Sequence, residues 1–361
     1  MNLTCPEKRI ICDDPPKFRE NLTEEKLLLL MEGHAAFQCL WAGMELGLYD
    51  LIAAAPGLTR SEISARLKLD DRPVRVLVTA LVSLGVLLLN DDGTYSLSPW
   101  AERRLVKGSQ EYMGDTMAWQ RYIVYPGLED FAGALRKNRN TGLEKFPGKG
   151  DSLYARLRSD PFKEQVFARA MEGLSRQANS ALLEVADFSR FRHLVDVGGG
   201  NATNALAFAS HYPQLKATVM DLPTVCELAN KNIANAHLKN RVRTHPGNLL
   251  EDPFPQGADL FLFSHLFSIW SEETDRQLMR KAFEALPKGG ALALFGMAMD
   301  ADERGPLGTA LGNPYFLAIA TGAGYLYSVS EYEEWLTDAG FSYLRKVTGL
   351  PLDHVLIIAE K

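Results

Sequence analysis

Apolar residues in the first third of the chain recur at the spacing of an α-helix. Between Glu24 and Ile52 the helical positions are Leu28, Met31, Ala35, Cys39, Ala42 and Leu46. Gly47 stands where a helix can end. The segments LTRSEISARL and DDRPVRVLVTALVSLGVL predict two further helices, and LLLNDDGTYSLS predicts two strands around an Asp-Asp-Gly turn. Two helices followed by a hairpin predict a winged helix.

The pattern changes twice after this region. Residues from about 106 to 187 are helical in pattern and rich in aromatic side chains. After His193 short apolar runs alternate with helical segments, and the predicted strands are HLVDVGGG, KATVMDLP, ADLFLFSHL, GGALALFGM and DHVLIIAEK. Such alternation predicts an α/β domain with a mostly parallel, doubly wound, Rossmann-like sheet and helices on both faces. Ligands are then expected at the carboxyl ends of the strands.

The second helix of the predicted winged helix discriminates between two kinds of partner. In DNA-binding proteins this helix enters the major groove with basic and amide side chains. Here Arg72 and Arg75 are followed by the apolar residues Val76, Leu77, Val78, Ala80, Leu81, Val82 and Leu84. So apolar a helix favours packing against protein and disfavours a DNA-binding regulator. We therefore expect a homodimer formed through this N-terminal region.

Charge and composition narrow the function classes further. The 361 residues carry a formal net charge of −6, so no overall positive field attracts nucleic acid or anionic membrane. The N-terminus lacks the apolar core of a signal peptide, and no apolar run is long enough to span a membrane. These observations predict a cytoplasmic location and a small-molecule partner. The four cysteines, Cys5, Cys12, Cys39 and Cys226, lack metal-site spacing, so we expect reduced thiols and no metal.

The segment LVDVGGGNATNAL predicts a strand, a tight glycine turn and the start of a helix. A dinucleotide fingerprint requires a third glycine where Thr203 stands. Asp196, two residues before the turn, would repel a diphosphate and attract an ammonium group. Asp221 ends the next strand, where a carboxylate can accept hydrogen bonds from both ribose hydroxyls. An ammonium at one end and a ribose at the other describe S-adenosylmethionine; the alternative is that both acids only cap helices.

Several motifs together carry a resemblance to a known family. They are MEGHAAFQCLWAGMELGLYDLI, LTRSEISARL to YSLS, LYARLRSDPFKEQVFARAM, DVGGGNAT, VMDLP, GNLLEDPFP and LPKGGALAL. With them the chain resembles the S-adenosylmethionine-dependent small-molecule O-methyltransferases of the caffeate and hydroxyindole type over nearly everything after residue 25. Residues 1–22 are polar and contain proline, which predicts an N-terminal arm. The resemblance implies a mainly α winged-helix dimerisation domain at 23–105, substrate-pocket helices at 106–187 and an S-adenosylmethionine-binding methyltransferase domain at 188–361.

The resemblance also implies a set of cofactor-binding residues. The methionine part would be held by Asp196, Gly198 and Gly200, the ribose and adenine edge by Asp221 and Leu222, the adenine by Asn248 and Leu249, and Ser264 completes the set. The family usually has an aspartate at position 248, so the asparagine found here implies an altered adenine contact.

One stretch departs from the family pattern. In the family, the strand end that corresponds to ADLFLFSHL normally reads Leu-His-Asp-Trp, whose histidine takes the proton from the substrate hydroxyl. The corresponding residues here are Phe267, Ser268, Ile269 and Trp270. Two glutamates that support the histidine in many plant members fall near Gly296 and Leu326. Because all three parts of the acid–base apparatus are missing, O-methylation driven by this histidine is not expected.

Methyl transfer from a sulfonium depends mainly on holding the acceptor in line, so a strong base is optional when a ring carbon attacks. We therefore expect C-methylation of a small electron-rich phenolic compound in secondary metabolism, of the kind found in antibiotic biosynthesis. Two alternatives stay open. One is O-methylation of an ionised phenolic hydroxyl by positioning alone, and the other is a non-methylating catalyst that keeps S-adenosylmethionine as an electrostatic element.

Candidate catalytic residues follow from this expectation. His265 can orient or deprotonate a phenol, or it can be purely structural. Ser268 can hydrogen-bond the substrate or merely make room, and Tyr325 can offer a phenol to the site. The residues predicted to bind the substrate are Met171, Phe167, Tyr122, Trp270, Asn313, Tyr315 and Tyr327.

Overall fold

A computed structural model describes residues 21–361, which form two compact units. The N-terminal unit contains residues 21–126 and Asp160–Gln177, and the C-terminal unit contains Gly127–Ser159 and residues 178–361. The arm predicted at 1–22 lies almost entirely outside the described residues. The four domain boundaries given above stay predictions.

The N-terminal unit begins with three helices, α1 (Glu24–Met31), α2 (Gly33–Glu45) and α3 (Leu48–Ala54). The side chain of Thr23 accepts a hydrogen bond from the Lys26 N–H and caps the first helix. Gly47 separates α2 from α3 and has a φ of +72°, a left-handed conformation that glycine adopts at little cost. The long helical pattern is therefore divided where the sequence predicted a helix end.

The predicted winged helix is present in this unit. Its helices are α4 (Arg60–Leu67) and α5 (Asp71–Ser83), and its strands are β1 (Leu58–Thr59), β2 (Leu87–Leu89) and β3 (Thr94–Leu97), with the order β1-β3-β2. The Thr59 side chain accepts the Glu62 N–H and caps α4, and the Glu62 carboxylate accepts the Thr59 N–H at 2.8 Å. The unit continues with α6 (Pro99–Leu105), α7 (Gly114–Trp119), a π-helical turn (Gln120–Val124) and α8 (Tyr125–Gly127), whose last residue belongs to the C-terminal unit.

Helix α5 is apolar on more than one face. It buries Val74, Leu77, Val78 and Leu81 in the core of the unit, yet Val76 is 64% exposed. A groove of about 650 Å³ runs between α2 and α5 and is mostly apolar. An apolar groove beside an apolar exposed side chain suits packing against protein more than contact with a phosphate backbone.

The C-terminal unit is built on a seven-stranded sheet with the order β6-β5-β4-β7-β8-β10-β9. Its strands are β4 (His193–Val197), β5 (Lys216–Asp221), β6 (Val242–Pro246), β7 (Leu260–Ser264), β8 (Ala291–Met297), β9 (Tyr343–Leu350) and β10 (His354–Glu360). The strands from β6 to β8 in this order are parallel, and β10 pairs antiparallel with both β8 and β9. This sheet confirms the predicted Rossmann-like α/β class.

Several helices accompany the sheet. They are α9 (Phe131–Lys137), a 3₁₀-helix (Thr141–Lys145), α10 (Leu153–Leu157), α11 (Pro161–Val185), α12 (Thr203–His211), α13 (Pro223–Asn235), α14 (Glu272–Ala285), α15 (Leu307–Tyr315), a π-helical turn (Phe316–Ala320), α16 (Val329–Asp338) and a 3₁₀-helix (Pro351–Asp353). Helix α11 belongs to the N-terminal unit up to Gln177 and to the C-terminal unit after it.

Alternate side chains of the central strands enter two separate cores, one on each face of the sheet. Leu194 and Leu262 belong to the core shared with α12 and α13, whereas Val195 and Phe263 belong to the core shared with α14 and α16. The sheet is therefore doubly wound, and its buried strands are the apolar runs from which they were predicted.

No single helix among the described residues has the length and apolar composition to cross a membrane. Helices α1 and α2 meet this criterion only together, and they meet at a bend of 65°. Within residues 21–361 no group of three or more His, Cys, Asp and Glu side chains is arranged to hold a metal ion.

Candidate active site

A glycine turn follows β4 and faces the carboxyl edge of the sheet. Gly198 and Gly200 have φ values of +67° and +57°, which favour glycine. A Cβ atom at Gly199 would lie 2.6 Å from the carboxylate of Asp196, and one at Gly198 would lie 2.9 Å from the side chain of Leu266. The turn therefore lies directly over Asp196 and against the loop that follows β7.

Asp196 is fully buried, and no hydrogen bond to either of its carboxylate oxygens is found within residues 21–361. Burial raises the pKa of Asp196 to about 7. The backbone N–H of Ala205 points towards the carboxylate and offsets part of this shift without forming a full hydrogen bond. A buried carboxylate without a partner lacks a cation, which an ammonium group can supply.

Asp221 ends β5, the strand beside β4. Its Oδ2 accepts the Gly200 N–H at 2.9 Å, and its Oδ1 accepts the Leu222 N–H at 2.7 Å. Burial raises the pKa of Asp221, and the two backbone hydrogen bonds oppose that shift. The carboxylate thus connects the glycine turn to the next strand end, and each oxygen retains a lone pair for a ligand hydroxyl.

Asn248 and Leu249 follow β6, and Ser264 ends β7. The Oδ1 atom of Asn248 accepts the Leu250 N–H at 3.1 Å, which closes a short turn. Because β6, β5, β4 and β7 are neighbours and parallel, the predicted cofactor residues share one edge of the sheet. An unpaired buried carboxylate, an open glycine turn and a second acid on the next strand fit S-adenosylmethionine.

The loop after β7 is held by a second loop of the same unit. The Thr321 hydroxyl donates a hydrogen bond to the Ile269 carbonyl oxygen at 2.6 Å. Gly324 packs so closely that a Cβ atom there would lie 2.2 Å from the Ser268 carbonyl oxygen. Ser268 is partly exposed, and Trp270 packs against the α14 side of the core. These contacts fix the backbone of the loop next to the glycine turn.

His265 follows β7 directly and has a left-handed backbone with a φ of +56°. Its Nε2 lies 3.3 Å from the Nε2 of His354, the first residue of β10. Burial lowers the pKa of His265 to about 3, and the neighbouring His354 lowers it further. The imidazole therefore stays neutral at physiological pH, and its catalytic assignment stays a prediction.

Asn313 has a structural contact of its own. Its Oδ1 accepts the Leu326 N–H at 2.7 Å and so connects α15 to the segment carrying two predicted site tyrosines. Tyr325 is 38% exposed, and its ring lies 5.2 Å from that of Tyr327. Burial raises the pKa of Tyr327 to about 12, and the carboxyl group of Asp275 adds to this shift. Both phenols are therefore protonated near neutral pH.

Tyr315 is buried, and its phenol interacts with that of Tyr154 of α10. Burial raises the pKa of Tyr154 to about 12 and raises that of Tyr315 well above its ordinary value. Both phenols are therefore protonated near neutral pH. The pair lies beside the π-helical turn at Phe316–Ala320, a conformation frequent at functional sites.

Three predicted substrate residues belong to the N-terminal unit. The Tyr122 ring packs edge-on against Trp41 at 5.5 Å and Phe162 at 4.9 Å. Phe167 and Met171 lie one turn apart on α11, and both are partly exposed. The assignment of all three to a substrate pocket stays a prediction.

Sequence reasoning missed three notable residues: Tyr154, Asp275 and His354. Tyr154 lies within the motif LYARLRSDPF, but the motif predicts no role for its phenol. The pattern around His354 predicts only the start of a strand. An antiparallel strand begins at the edge where its parallel neighbours end, and this topology was the signal that would have placed His354 near His265.

Comparison with known proteins supports this geometry. An O-methyltransferase dimerisation domain matches residues 28–107, and an O-methyltransferase domain matches residues 129–342. L-tyrosine C(3)-methyltransferase of Streptomyces lavendulae is 38% identical over 328 residues, which cover 91% of this chain and 89% of that protein. The apo crystal structure of the S-adenosylmethionine-dependent methyltransferase SibL is 35% identical, with a TM-score of 0.84 and coverage of 93% and 98%. The structure of human N-acetylserotonin methyltransferase with S-adenosylmethionine is 25% identical, with a TM-score of 0.81 and coverage of 95% and 98%.

The chain therefore belongs to the O-methyltransferase family and is an S-adenosylmethionine-dependent methyltransferase of secondary metabolism. This result confirms the resemblance and the cofactor inferred from the strand ends. The match to the dimerisation domain supports a homodimer. The individual site residues, including the position of Ser268 where the family has its histidine, stay predictions.

Proposed function

We propose that this enzyme methylates a ring carbon of a small phenolic compound. The observation that carries the proposal is the composition of the loop after β7, where Phe267, Ser268, Ile269 and Trp270 offer no ionisable side chain. His265, just before the loop, is held neutral with a pKa of about 3. Such a group is a poor base for a phenolic hydroxyl, whose ordinary pKa is about 10.

A ring carbon needs no such base before it attacks. When bound, S-adenosylmethionine supplies an electrophilic methyl group whose bond to sulfur breaks with the electron pair left on sulfur. The residues of this chain contribute binding and alignment, which can supply about 7–11 kcal/mol of the barrier. In this assignment Asp196 pairs with the ammonium and Asp221 accepts the ribose hydroxyls. The turn at Asn248 and Leu249 packs on the adenine.

The remaining site residues are proposed to hold the acceptor. Ser268 hydrogen-bonds the phenolic oxygen, and Tyr325 donates a second hydrogen bond. Aromatic side chains of the C-terminal unit are proposed to pack on the flat ring. They are Trp270, Tyr315 and Tyr327. The assignment of Met171, Phe167 and Tyr122 of the N-terminal unit to substrate binding stays a prediction. The Oδ1 of Asn313 already accepts one backbone N–H, so Asn313 is proposed to act on the substrate through its amide nitrogen, through the second lone pair of Oδ1, or through the loop it holds.

The substrate class is proposed from a relative. A protein that is 38% identical is named L-tyrosine C(3)-methyltransferase, which supports a phenolic amino acid or a close analogue as the acceptor here. We further propose that the homodimer forms through the N-terminal unit, where Leu27 to Met31 of α1 are exposed. The cytoplasmic location stays a prediction.

The test is direct identification of the product. The purified enzyme is incubated with S-adenosylmethionine and a panel of tyrosine, hydroxykynurenine-like compounds and polyketide phenols, and products are detected by mass shift. We expect the proton NMR spectrum of the product to lose one ring proton and gain a methyl signal bonded to carbon. A methoxy signal with all ring protons retained would overturn the proposal. Consumption of a substrate without formation of S-adenosylhomocysteine would instead indicate the non-methylating alternative.

O-methylation is the second candidate, because the family model that matches most of the chain is that of an O-methyltransferase. The substitution Ser268→His separates the two candidates by restoring a base at the family position. If carbon is the acceptor, this variant gains no activity at any pH, and Ser268→Gln serves as a control of similar bulk. A large gain for Ser268→His that grows as the pH rises would favour the hydroxyl.

A further inference from the structure

Two histidines meet at the carboxyl edge of the sheet. His265 follows β7 and His354 begins β10, and the two strands lie on either side of β8. Their ring centroids are 4.8 Å apart, and their Nε2 atoms are 3.3 Å apart, a hydrogen-bond contact between residues 89 positions apart. The Phe295 ring of β8 lies 5.6 Å from the first ring and 4.9 Å from the second. The pair is thus packed in place by the strand between.

The hydrogen bonds of His354 determine where both protons lie. Its Nδ1 is 2.9 Å from the Leu352 carbonyl oxygen and 3.0 Å from the Pro351 carbonyl oxygen. A carbonyl oxygen only accepts, so Nδ1 of His354 carries the proton. In a neutral imidazole the Nε2 of His354 is then an acceptor, and the Nε2–H of His265 donates to it. Consequently the lone pair of His265 lies on Nδ1.

Burial keeps both rings in this neutral arrangement. It lowers the pKa of His354 to about 4, against the opposing effect of the two carbonyl groups. The pKa of His265 is lower still because burial and the neighbouring ring act in the same direction. Neither ring gains a second proton at physiological pH, so the proton order along the pair is fixed.

The backbone is left-handed at His265 and at the two residues before His354. His265 has a φ of +56°, and Leu352 and Asp353, which precede His354, have φ values of +59° and +58°. Such conformations are uncommon outside glycine and cluster at functional sites. The His265 N–H donates to the Phe295 carbonyl oxygen at 2.8 Å, which holds the first of these turns on β8.

The pair also adjoins the candidate active site. The next residue, Leu266, contacts the glycine turn at Gly198. His265 and Ser268 line the same small cavity. His265 is partly exposed, and no hydrogen bond to its Nδ1 is found in the part of the chain that the structure describes. Its lone pair is therefore accessible on the side away from His354.

We propose that His354 is a positioning residue that holds His265 with its proton on Nε2, so that Nδ1 of His265 accepts the proton that leaves the ring carbon after methyl transfer. This inference rests on the proposed C-methylation. After the new carbon–carbon bond forms, the reacting ring carbon carries both its hydrogen and the methyl group. The carbon–hydrogen bond then breaks, its electron pair restores the aromatic ring, and the proton passes to Nδ1 and later to water.

A weakly basic imidazole suits this step. Loss of the proton restores aromaticity, so the intermediate is a strong acid and needs an acceptor in the right place more than a strong one. A phenolic hydroxyl, with an ordinary pKa of about 10, instead needs a strong base to remove its proton. The same weakly basic histidine that is unfit to start O-methylation is therefore able to finish C-methylation.

The decisive comparison is between two variants at one position. His354→Phe keeps the ring shape and removes the acceptor, whereas His354→Gln offers a side-chain carbonyl that accepts the His265 Nε2–H. Both lose the hydrogen bond to Leu352, so a purely structural role predicts equal losses. We expect turnover to fall about 10- to 100-fold in His354→Phe and to be largely retained in His354→Gln. Thermal unfolding of both variants controls for stability.

A ring-deuterated phenol reports the step itself. With the wild type and His354→Gln, the protonated and deuterated substrates should react at similar rates, because proton loss is faster than methyl transfer. With His354→Phe the deuterated substrate should become clearly slower, because proton loss then limits the rate. Equal losses in both variants with no isotope effect would overturn the inference while C-methylation stands. A methoxy product from the wild type would instead contradict the proposed function.

The protonation pattern can be read without catalysis. Two-bond nitrogen–proton NMR spectra of the unliganded wild-type protein, with the histidines assigned by substitution, should show the proton on Nε2 of His265 and on Nδ1 of His354. The opposite tautomer at His265 would overturn the inference even if the His354 variants fail to fold.

Discussion

Two regions of the C-terminal unit each bury one carboxyl group completely, and the two groups differ in their surroundings. Asp196 lies at the end of β4, and Asp275 lies in the first turn of α14. No hydrogen bond to the carboxylate oxygens of either residue is found among the described residues. Burial raises the pKa of Asp196 to about 7 and that of Asp275 to about 9. The same desolvation therefore acts at both sites, and at Asp196 the Ala205 N–H offsets part of it.

The two aspartates differ in the groups that surround them. Asp196 lies under an open glycine turn, with a second acid on the next strand. The carboxyl group of Asp275 raises the pKa values of Tyr332 on α16 and of Tyr327 just before that helix, after the larger effect of burial. The N-terminus of α14 favours negative charge by up to about 1–2 kcal/mol, yet the raised pKa shows that burial outweighs it. We infer that Asp196 is half of an ion pair that the cofactor completes, whereas Asp275 is an internal proton-bearing group.

Removing the charge of Asp196 should have the largest effect. The isosteric change Asp196→Asn leaves the cofactor ammonium without its counter-charge. Loss of one partner of a buried ion pair costs about 3–5 kcal/mol, so affinity for S-adenosylhomocysteine should fall by about 100-fold or more. Isothermal titration calorimetry measures this change.

Asp275→Asn is the matched control for that measurement. It makes the same atomic replacement at an equally buried aspartate of the same unit, and we expect the affinity to be unchanged. Near-normal binding by Asp196→Asn, or an equal loss in both variants, would remove the distinction between the two carboxylates.

The two aspartates also show how much of the molecule the sequence could predict. Asp196 belongs to a local strand–turn–helix motif, so its proposed role in binding the cofactor can be predicted from eight consecutive letters, DVGGGNAT. Asp275 lies in a charged helix start, SEETDR, where the pattern favours a solvated acid. Its burial depends on the packing of α16, which begins more than fifty residues later. Local patterns do not encode such contacts.

Local sequence patterns also predict only part of the sheet. The buried central strands were predicted from their apolar runs, whereas β6 and β9 were missed. Both lie at an edge of the sheet, and their sequences, VRTHP and YLRKVTGL, mix polar and apolar residues. The His265–His354 contact was missed for a related reason, since it requires the position of the last strand.

The stability of the folded protein should depend on pH through Asp275. The pKa of Asp275 rises from its ordinary 3.8 to about 9 on folding, so the folded protein binds the proton more tightly than the unfolded chain. Stability contributed by the protonated group is therefore lost as the pH rises from about 4 to about 9. Asp275→Asn does not titrate and should be more stable than the wild type by about 1–3 kcal/mol near pH 8, with a smaller gain near pH 5.

Urea unfolding at pH 5, 7 and 9 measures this gain, and Asp196→Asn in the absence of cofactor is the comparison. The pKa of Asp196 rises only to about 7, so its gain should level off above that pH while the gain of Asp275→Asn continues to grow. A gain for Asp275→Asn that does not change with pH would show that the group is not held protonated in the fold.

The pH dependence of cofactor binding should show the smallest effect. Below pH 7 much of Asp196 is protonated in the free protein, and it must ionise to pair with the ammonium group. Affinity should therefore weaken as the pH falls through 7, by up to about tenfold per pH unit, and proton release should accompany binding. Titrations at pH 6 in two buffers of different ionisation enthalpy measure that release. Asp275→Asn should release the same number of protons as the wild type, because its carboxyl group does not meet the cofactor. Release that disappears in Asp275→Asn and persists in Asp196→Asn would exchange the roles given to the two residues.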